Sequence, residues 1–344
     1  PNTLGTARTN SAPRIDRIAI QRLSWRRLDG SRLIELLAFL CLAEMRIVLF
    51  NRQKLLLALL EALGGDLGAR DFQKHLFLYT RLCERERSFE FLPYRFGCYS
   101  FQAAADKRKL VKQGCLADES AWRLERPALS YARALPKDDQ TRISTYVTQH
   151  GKLFGDELVR HVYTNYPYFA VRSEIAEQLM SEADYRRILA ARPKKRRKST
   201  FFTIGYEGQS IETYLNRLIE NDVRALVDVR KNPLSRKYGF SKGALSSLCE
   251  NFDIAYAHLP RLGIPGMHRR NLESQDDYDR LFLQYKKDVL PRSADALEYL
   301  TELLSEYKRI AITCFERDHA QCHRSCVADA IARNAPSKVA FAHL

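Results

Sequence analysis

The sequence contains neither a G-x-G-x-x-G turn nor a P-loop, so it offers no dinucleotide fingerprint and no Walker-type phosphate cradle. The apolar run at residues 33–43 is 11 residues long and broken by Glu35, too short to cross a bilayer core. It also lacks a small-x-small cleavage site and follows Asp16 and Asp29, which argues against a secretion signal and leaves a short docking helix as the expectation. Eight cysteines are scattered over 344 residues with no compact disulfide framework. Reduced thiols and a cytoplasmic location are the simpler expectation.

What the chain does have is length, charge and pattern. At 344 residues it can bury two separate cores, and 45% hydrophobic with 28% charged residues is ordinary for a folded protein. The net charge of +15 is unevenly placed: from residue 201 onward there are 20 Lys+Arg against 19 Asp+Glu, whereas the first 200 residues hold 36 against 22. A polyanion such as nucleic acid would therefore be met through residues 45–200.

Pro1 at the start reads as a fragment or a trimmed chain, with Met45 as the natural start and residues 1–44 as a poorly ordered extension. Residues 51–63 read as a helix stopped by Gly64-Gly65, and residues 72–85 as a second, capped by Asp71. Strand-like alternation at residues 89–100 leads to Ser100, which can cap a helix over residues 101–114. Further helices are expected at residues 155–167 and 174–190. Helices around a hairpin-like stretch predict a mostly α-helical, winged-helix-like domain over residues 45–190. The run F-x-P-Y-x-F-G-x-Y-S before a helix is similar to helical antitoxin-like domains found beside phage and toxin systems.

Residues 191–200 then interrupt all periodicity: six of the seven residues from 192 to 198 are basic. This reads as a solvated linker, with a phosphate-contacting strap as the alternative. Beyond it, strands near 201–206, 223–229, 254–258, 309–313 and 338–342 alternate with helices near 210–220, 242–251, 276–288, 293–307 and 322–333. The alternation predicts a Rossmann-like three-layer α/β domain over residues 201–344, with a mainly parallel sheet.

The polar residues fall where those strands end. Cys314 and Glu316 follow the 309–313 strand, with Cys322, His323 and Arg324 opening the next helix. Asp228 and Arg230 end the second strand, His258 ends the third, and Gly205, Tyr206 and Gly208 follow the first. Ligands of open α/β sheets bind at that carboxyl edge, where helix N–H groups favour anions. Arg236 and Lys242 add cations suited to a phosphate or carboxylate.

C-x-E-x(5)-C-H-R after an apolar strand resembles the signature of the "domain of unknown function 488" family. So do G-Y at 205–206, D-V-R at 228–230, P-x-S-R at 233–236, and His258 with Leu262 and Gly263; the family commonly has a second glycine where Ile264 stands. The resemblance covers roughly residues 201–334 and implies a fold but no settled reaction.

Asp228 and Arg230 admit a structural ion pair or an active-site pair, and His258 a structural or a functional role. Glu316 is a candidate general base or a partner for Arg324. For Cys314 and Cys322 three readings stand: a reactive thiol activated by Arg324, nearby His and a helix terminus; metal ligands together with His258 or His323; or packing. C-x(7)-C-H is unlike short-spaced zinc knuckles, so no metal set and no cofactor is assigned. A tyrosine-phosphatase loop is excluded because Ala320 stands where C-x(5)-R requires arginine. Two functional classes follow. One is an enzyme acting on an anionic substrate such as a nucleotide or nucleic acid, with Cys314, Glu316, Asp228, Arg230 and His258 as catalytic candidates and Arg236, Cys322, His323, Arg324 and Tyr206 around the anion. The other is a non-enzymatic nucleic-acid-binding or defence-associated regulator that senses a small anion.

Overall fold

The computed structural model describes residues 48–266, 272–334 and 338–344. The expectations for residues 1–44, including the helix at 33–43, lie outside them. Leu49–Leu344 forms one compact unit.

Its N-terminal part is mostly helical, with two small antiparallel pairs. The helix Asn51–Ala62 stops where Gly64 and Gly65 take positive φ of 103° and 82°, a conformation glycine adopts without a Cβ clash. The next helix, Ala69–Leu82, starts at Gly68 and not at Asp71. Asp71 lies inside the first turn, and its carboxylate accepts the Gly155 N–H at 2.9 Å instead of capping its own helix. Four short strands, β1 (Asp66–Gly68), β2 (Leu92–Tyr94), β3 (Gly97–Tyr99) and β4 (Ala121–Arg123), pair as β2–β3 and β1–β4. Ser100 does cap the helix Phe101–Lys112, accepting the Ala103 N–H at 3.2 Å. The helix expected over 174–190 is divided into Ala176–Leu179 and Glu182–Ala190, because Ser181 takes extended backbone and caps the second piece.

The C-terminal part is a five-stranded, wholly parallel sheet: β5 (Thr200–Gly205), β6 (Ala225–Asp228), β7 (Ala255–His258), β8 (Arg309–Cys314) and β9 (Ala340–His343), in the order β7-β6-β8-β5-β9. Side chains alternate across it, as strand periodicity demands. Phe201, Val227, Ile310 and Ile312 face the helices Gln275–Asp288, Ala294–Tyr307 and Arg324–Asn334, while Phe202, Leu226 and Ala311 face Ile211–Glu220 and Lys242–Glu250. Two helical layers thus cover the sheet in a Rossmann-like α/β arrangement.

The N-terminal part packs on the second of these layers. Leu92 joins its core, Asn216 donates to the Phe91 carbonyl at 2.8 Å, and the buried Glu212 carboxylate accepts from Gln102 N–H at 2.8 Å and Ser100 Oγ at 3.2 Å. The opposite layer and the carboxyl edge carry the polar cluster described next.

Candidate functional site

Strand register brings the strand-end residues side by side. Asp228 is opposite His258 on one neighbour and Thr313 on the other, and Gly205 is opposite Cys314. Neighbouring strands lie about 4.8 Å apart, so the four ends span a short arc of one edge.

On that arc Asp228 and Arg230 form a buried, two-pronged ion pair, Nε to Oδ1 at 2.8 Å and Nη2 to Oδ2 at 2.5 Å. The Tyr256 hydroxyl donates to Asp228 Oδ2 at 2.8 Å and the Arg230 N–H to Oδ1 at 3.1 Å, so four donor groups converge on this carboxylate. Arg230 Nη1 donates to the Tyr206 hydroxyl at 2.9 Å, and its guanidinium lies 5.0 Å from the Tyr206 ring centroid. Burial works against the charge of Arg230, but Asp228 and Tyr206 outweigh it and hold the guanidinium above its ordinary pKa. Burial, then the neighbouring Asp228 charge, pushes the Tyr256 hydroxyl up as well, which keeps it a donor. His258 donates from Nε2 to the Arg230 carbonyl at 2.9 Å, fixing the backbone that carries the guanidinium. Asp228, Arg230, His258, Tyr206 and Tyr256 therefore form one braced unit that holds the guanidinium in a fixed position.

Beyond β8 the chain folds back over β5. Tyr206 and Glu207 N–H groups both donate to the Phe315 carbonyl, at 3.1 and 2.9 Å. The approach needs a glycine at 205, since a Cβ there would sit 1.8 Å from the Glu316 carbonyl oxygen. Arg324, 1% exposed, braces the loop: one terminal nitrogen donates to the Glu316 carbonyl and the other to the Arg317 carbonyl at 2.9 Å. The final helix begins at Arg324, two residues later than its sequence pattern suggests. Cys322 and His323 lie in the preceding turn, where Cys322 N–H donates to the His319 carbonyl at 3.2 Å.

That loop gathers four donor atoms. Cys314 Sγ lies 3.1 Å from Glu316 Oε2 and 3.8 Å from His323 Nδ1. Cys322 Sγ lies 2.9 Å from the same carboxylate oxygen and 3.9 Å from the same nitrogen. The two sulfurs and the imidazole nitrogen fall within 4.8 Å of one another, all three residues being buried. Burial pushes the Cys322 thiol well above its ordinary pKa, and Cys314 and Glu316 add to the effect while Arg324 opposes it. The long C-x(7)-C-H spacing is closed in space by the fold-back loop, which linear spacing does not reveal.

Two clefts open onto this edge. One, of about 490 Å³, is lined by Tyr206, Arg230, Lys231, Arg236, Cys314 and Glu316, among others. The other, of about 200 Å³, is lined by Glu207, Ile264, Tyr278, Phe315, Glu316 and His323, among others. Glu316 borders both. Of the residues expected around an anion, Tyr206 and Arg236 line the first cleft, His323 lines the second, and Arg324 instead engages loop carbonyls. Lys231 and Tyr256 were not singled out by sequence. Tyr256 stands two positions before His258 on the same strand, a period-two relation that marks a shared face. Lys231 follows Arg230 directly and carries no pattern of its own, but Gly263 packs against its backbone so closely that a Cβ would lie 2.2 Å from the Lys231 nitrogen.

Residues 210–331 match the family model described as Domain of unknown function DUF488. The match lies in the C-terminal region and includes Asp228, Arg230, His258 and the whole Cys314–Arg324 loop. No curated protein and no solved structure matches the chain.

Proposed function

We propose that the α/β domain is the catalytic part of an enzyme acting on an anionic substrate, a nucleotide or nucleic acid. The observation that carries this reading is a single cleft in which Arg230, Lys231 and Arg236 share the lining with Cys314 and Glu316. Lys231 and Arg236 are exposed and free to close on an anion, whereas Arg230 is a fixed charge already committed to Asp228. Glu316 borders the cleft with its carboxylate against two thiols, so it is the group placed to move a proton. Asp228 and His258 act as positioning residues through Arg230.

Residues 45–190 we assign to a nucleic-acid-binding module, antitoxin-like in pattern, with residues 191–200 as the basic linker and 201–344 as the α/β domain. Lys194, Lys195, Arg196, Arg197 and Lys198 are all exposed, which suits contact with a phosphate backbone. Among the described residues no helix is long and apolar enough to cross a membrane.

The test is to incubate the purified chain with a panel of nucleotides, phosphorylated metabolites and oligonucleotides, and to follow the mixture by mass spectrometry. Turnover of an anionic member, lost in Glu316→Gln and weakened in Arg236→Ala, supports the proposal. Saturable binding with no new product supports the regulator reading instead and overturns the catalytic one.

A further inference from the structure

The Cys314–Cys322–His323 triad has the composition and dimensions of a metal centre, and the Glu316 carboxylate lies against both of its sulfurs. Around a tetrahedral Zn²⁺, with about 2.3 Å to sulfur and about 2.0–2.1 Å to nitrogen or oxygen, the edges between donors come to about 3.3–3.8 Å. The sulfur–oxygen edges here are 3.1 and 2.9 Å and the sulfur–nitrogen edges 3.8 and 3.9 Å. These four edges bracket the required values, the two sulfurs and the imidazole nitrogen lie within 4.8 Å of one another, and Glu316 would complete the tetrahedron by swinging toward the imidazole.

The imidazole is oriented as a ligand should be. His323 Nε2 faces the Val229 carbonyl at 3.2 Å. A carbonyl only accepts, so Nε2 carries the proton and Nδ1 presents its lone pair to the two sulfurs. A backbone carbonyl that fixes the tautomer in this way is the usual outer partner of a metal-bound histidine. The loop is fixed as well, by Arg324 on the Glu316 and Arg317 carbonyls and by the fold-back over Gly205.

We propose that Cys314, Cys322, His323 and Glu316 together bind one zinc-type divalent ion, with Glu316 ligating through Oε2, the oxygen against both sulfurs, so that proton transfer is left to its other oxygen. On binding, each thiol gives its proton to solvent as its sulfur–metal bond forms. Two thiolates, a carboxylate and a neutral imidazole then surround a dication. Two thiolates with one imidazole favour zinc over magnesium or calcium, which prefer all-oxygen sets. Packing alone accounts for buried cysteines, but it does not require an imidazole lone pair and a carboxylate to converge on both sulfurs. The inference stands on the cluster itself, whether or not the cleft takes an anion.

The full chain, purified without chelator, is analysed for metals and then, after metal removal, titrated with Co²⁺ alone. One equivalent of zinc is expected, together with a thiolate-to-cobalt charge-transfer band and the intense visible bands of four-coordination. Cys322→Ser and His323→Ala should lose or markedly weaken that spectrum, while Cys249→Ser, buried in the opposite layer, should keep it. Absence of bound metal together with a featureless cobalt titration of the parent chain overturns the proposal, and that readout does not depend on any variant folding. A Cys314–Cys322 disulfide in freshly purified chain, or a cobalt spectrum that survives in folded Cys322→Ser, overturns it equally.

Discussion

His323 Nε2 lies 3.2 Å from the Val229 carbonyl oxygen, a hydrogen bond that ties the turn after β8 to the end of β6 and faces Nδ1 toward Cys314 and Cys322. Both partners are buried, so the bond has no ready substitute in water. Removing the ring leaves the carbonyl without its donor, at about 1–3 kcal/mol. His323→Ala should therefore lose about that much stability in urea melts run with chelator present, where metal plays no part. A loss under about 0.5 kcal/mol would place the ring elsewhere.

The Asp228–Arg230 pair is buried at both ends, with side-chain exposure of 0% and 6%. Breaking such a pair strands a charge, which costs about 3–5 kcal/mol. Asp228→Ala should show a loss of that size in denaturant melts. An exposed, catalytic carboxylate would give less than about 1 kcal/mol while still abolishing turnover.

Gly205→Ala introduces a Cβ that would meet the Glu316 carbonyl oxygen at 1.8 Å, so the loop carrying Glu316 has to move. Overpacking of this kind costs about 1–3 kcal/mol, an amount a chain of this size can survive. The variant should fold by circular dichroism yet lose the cobalt spectrum and the activity together. Retention of both would show that the loop does not depend on its approach to β5.

Much of this was legible in the sequence, for identifiable reasons. The five parallel strands and their helices lie within a residue or two of where alternation placed them, because runs such as Arg309–Cys314 are buried throughout and flanked by amphipathic helices. That Asp228, His258 and Cys314 reach one sheet edge follows from parallel strands pointing the same way. The pattern also places Cys314, Glu316, Cys322 and His323 at that edge, but the close approach of their donor atoms was not legible, because it depends on a fold-back that Gly205 permits and Arg324 holds. The expectation that Arg324 faces the ligand rested on helix polarity, which says nothing of carbonyls competing for the guanidinium. Asp71 misled similarly: a carboxylate near a helix start reads as a cap, but its partner, Gly155, is 84 positions away.

Glu212 gives a pH dependence of definite sign. Its burial between the N-terminal part and the sheet raises its pKa above the ordinary 4.5, although hydrogen bonds from Gln102 and Ser100 partly offset the shift. Above pH 4.5 the unfolded chain has released a proton that the folded chain still holds. Stability therefore falls as pH rises from there through the folded-state pKa. Glu212→Gln cannot titrate, so its stability relative to the parent chain should grow as pH rises from 4.5 through the folded-state pKa. A difference that stays flat, or that shrinks with pH, would contradict the buried setting of this carboxylate.

If the Cys/His/Glu cluster and the cation-lined cleft are one site, sharing Cys314 and Glu316, an anion in the cleft must perturb the bound metal. Titrating inorganic phosphate into the cobalt-loaded chain tests it most directly, with the visible bands as the readout. The bands should shift saturably while the thiolate charge-transfer band persists, and Arg236→Ala should raise the half-saturating phosphate concentration about tenfold, equivalent to about 1.4 kcal/mol. Visible bands that ignore phosphate at every concentration, or an Arg236→Ala chain that responds like the parent, would contradict it.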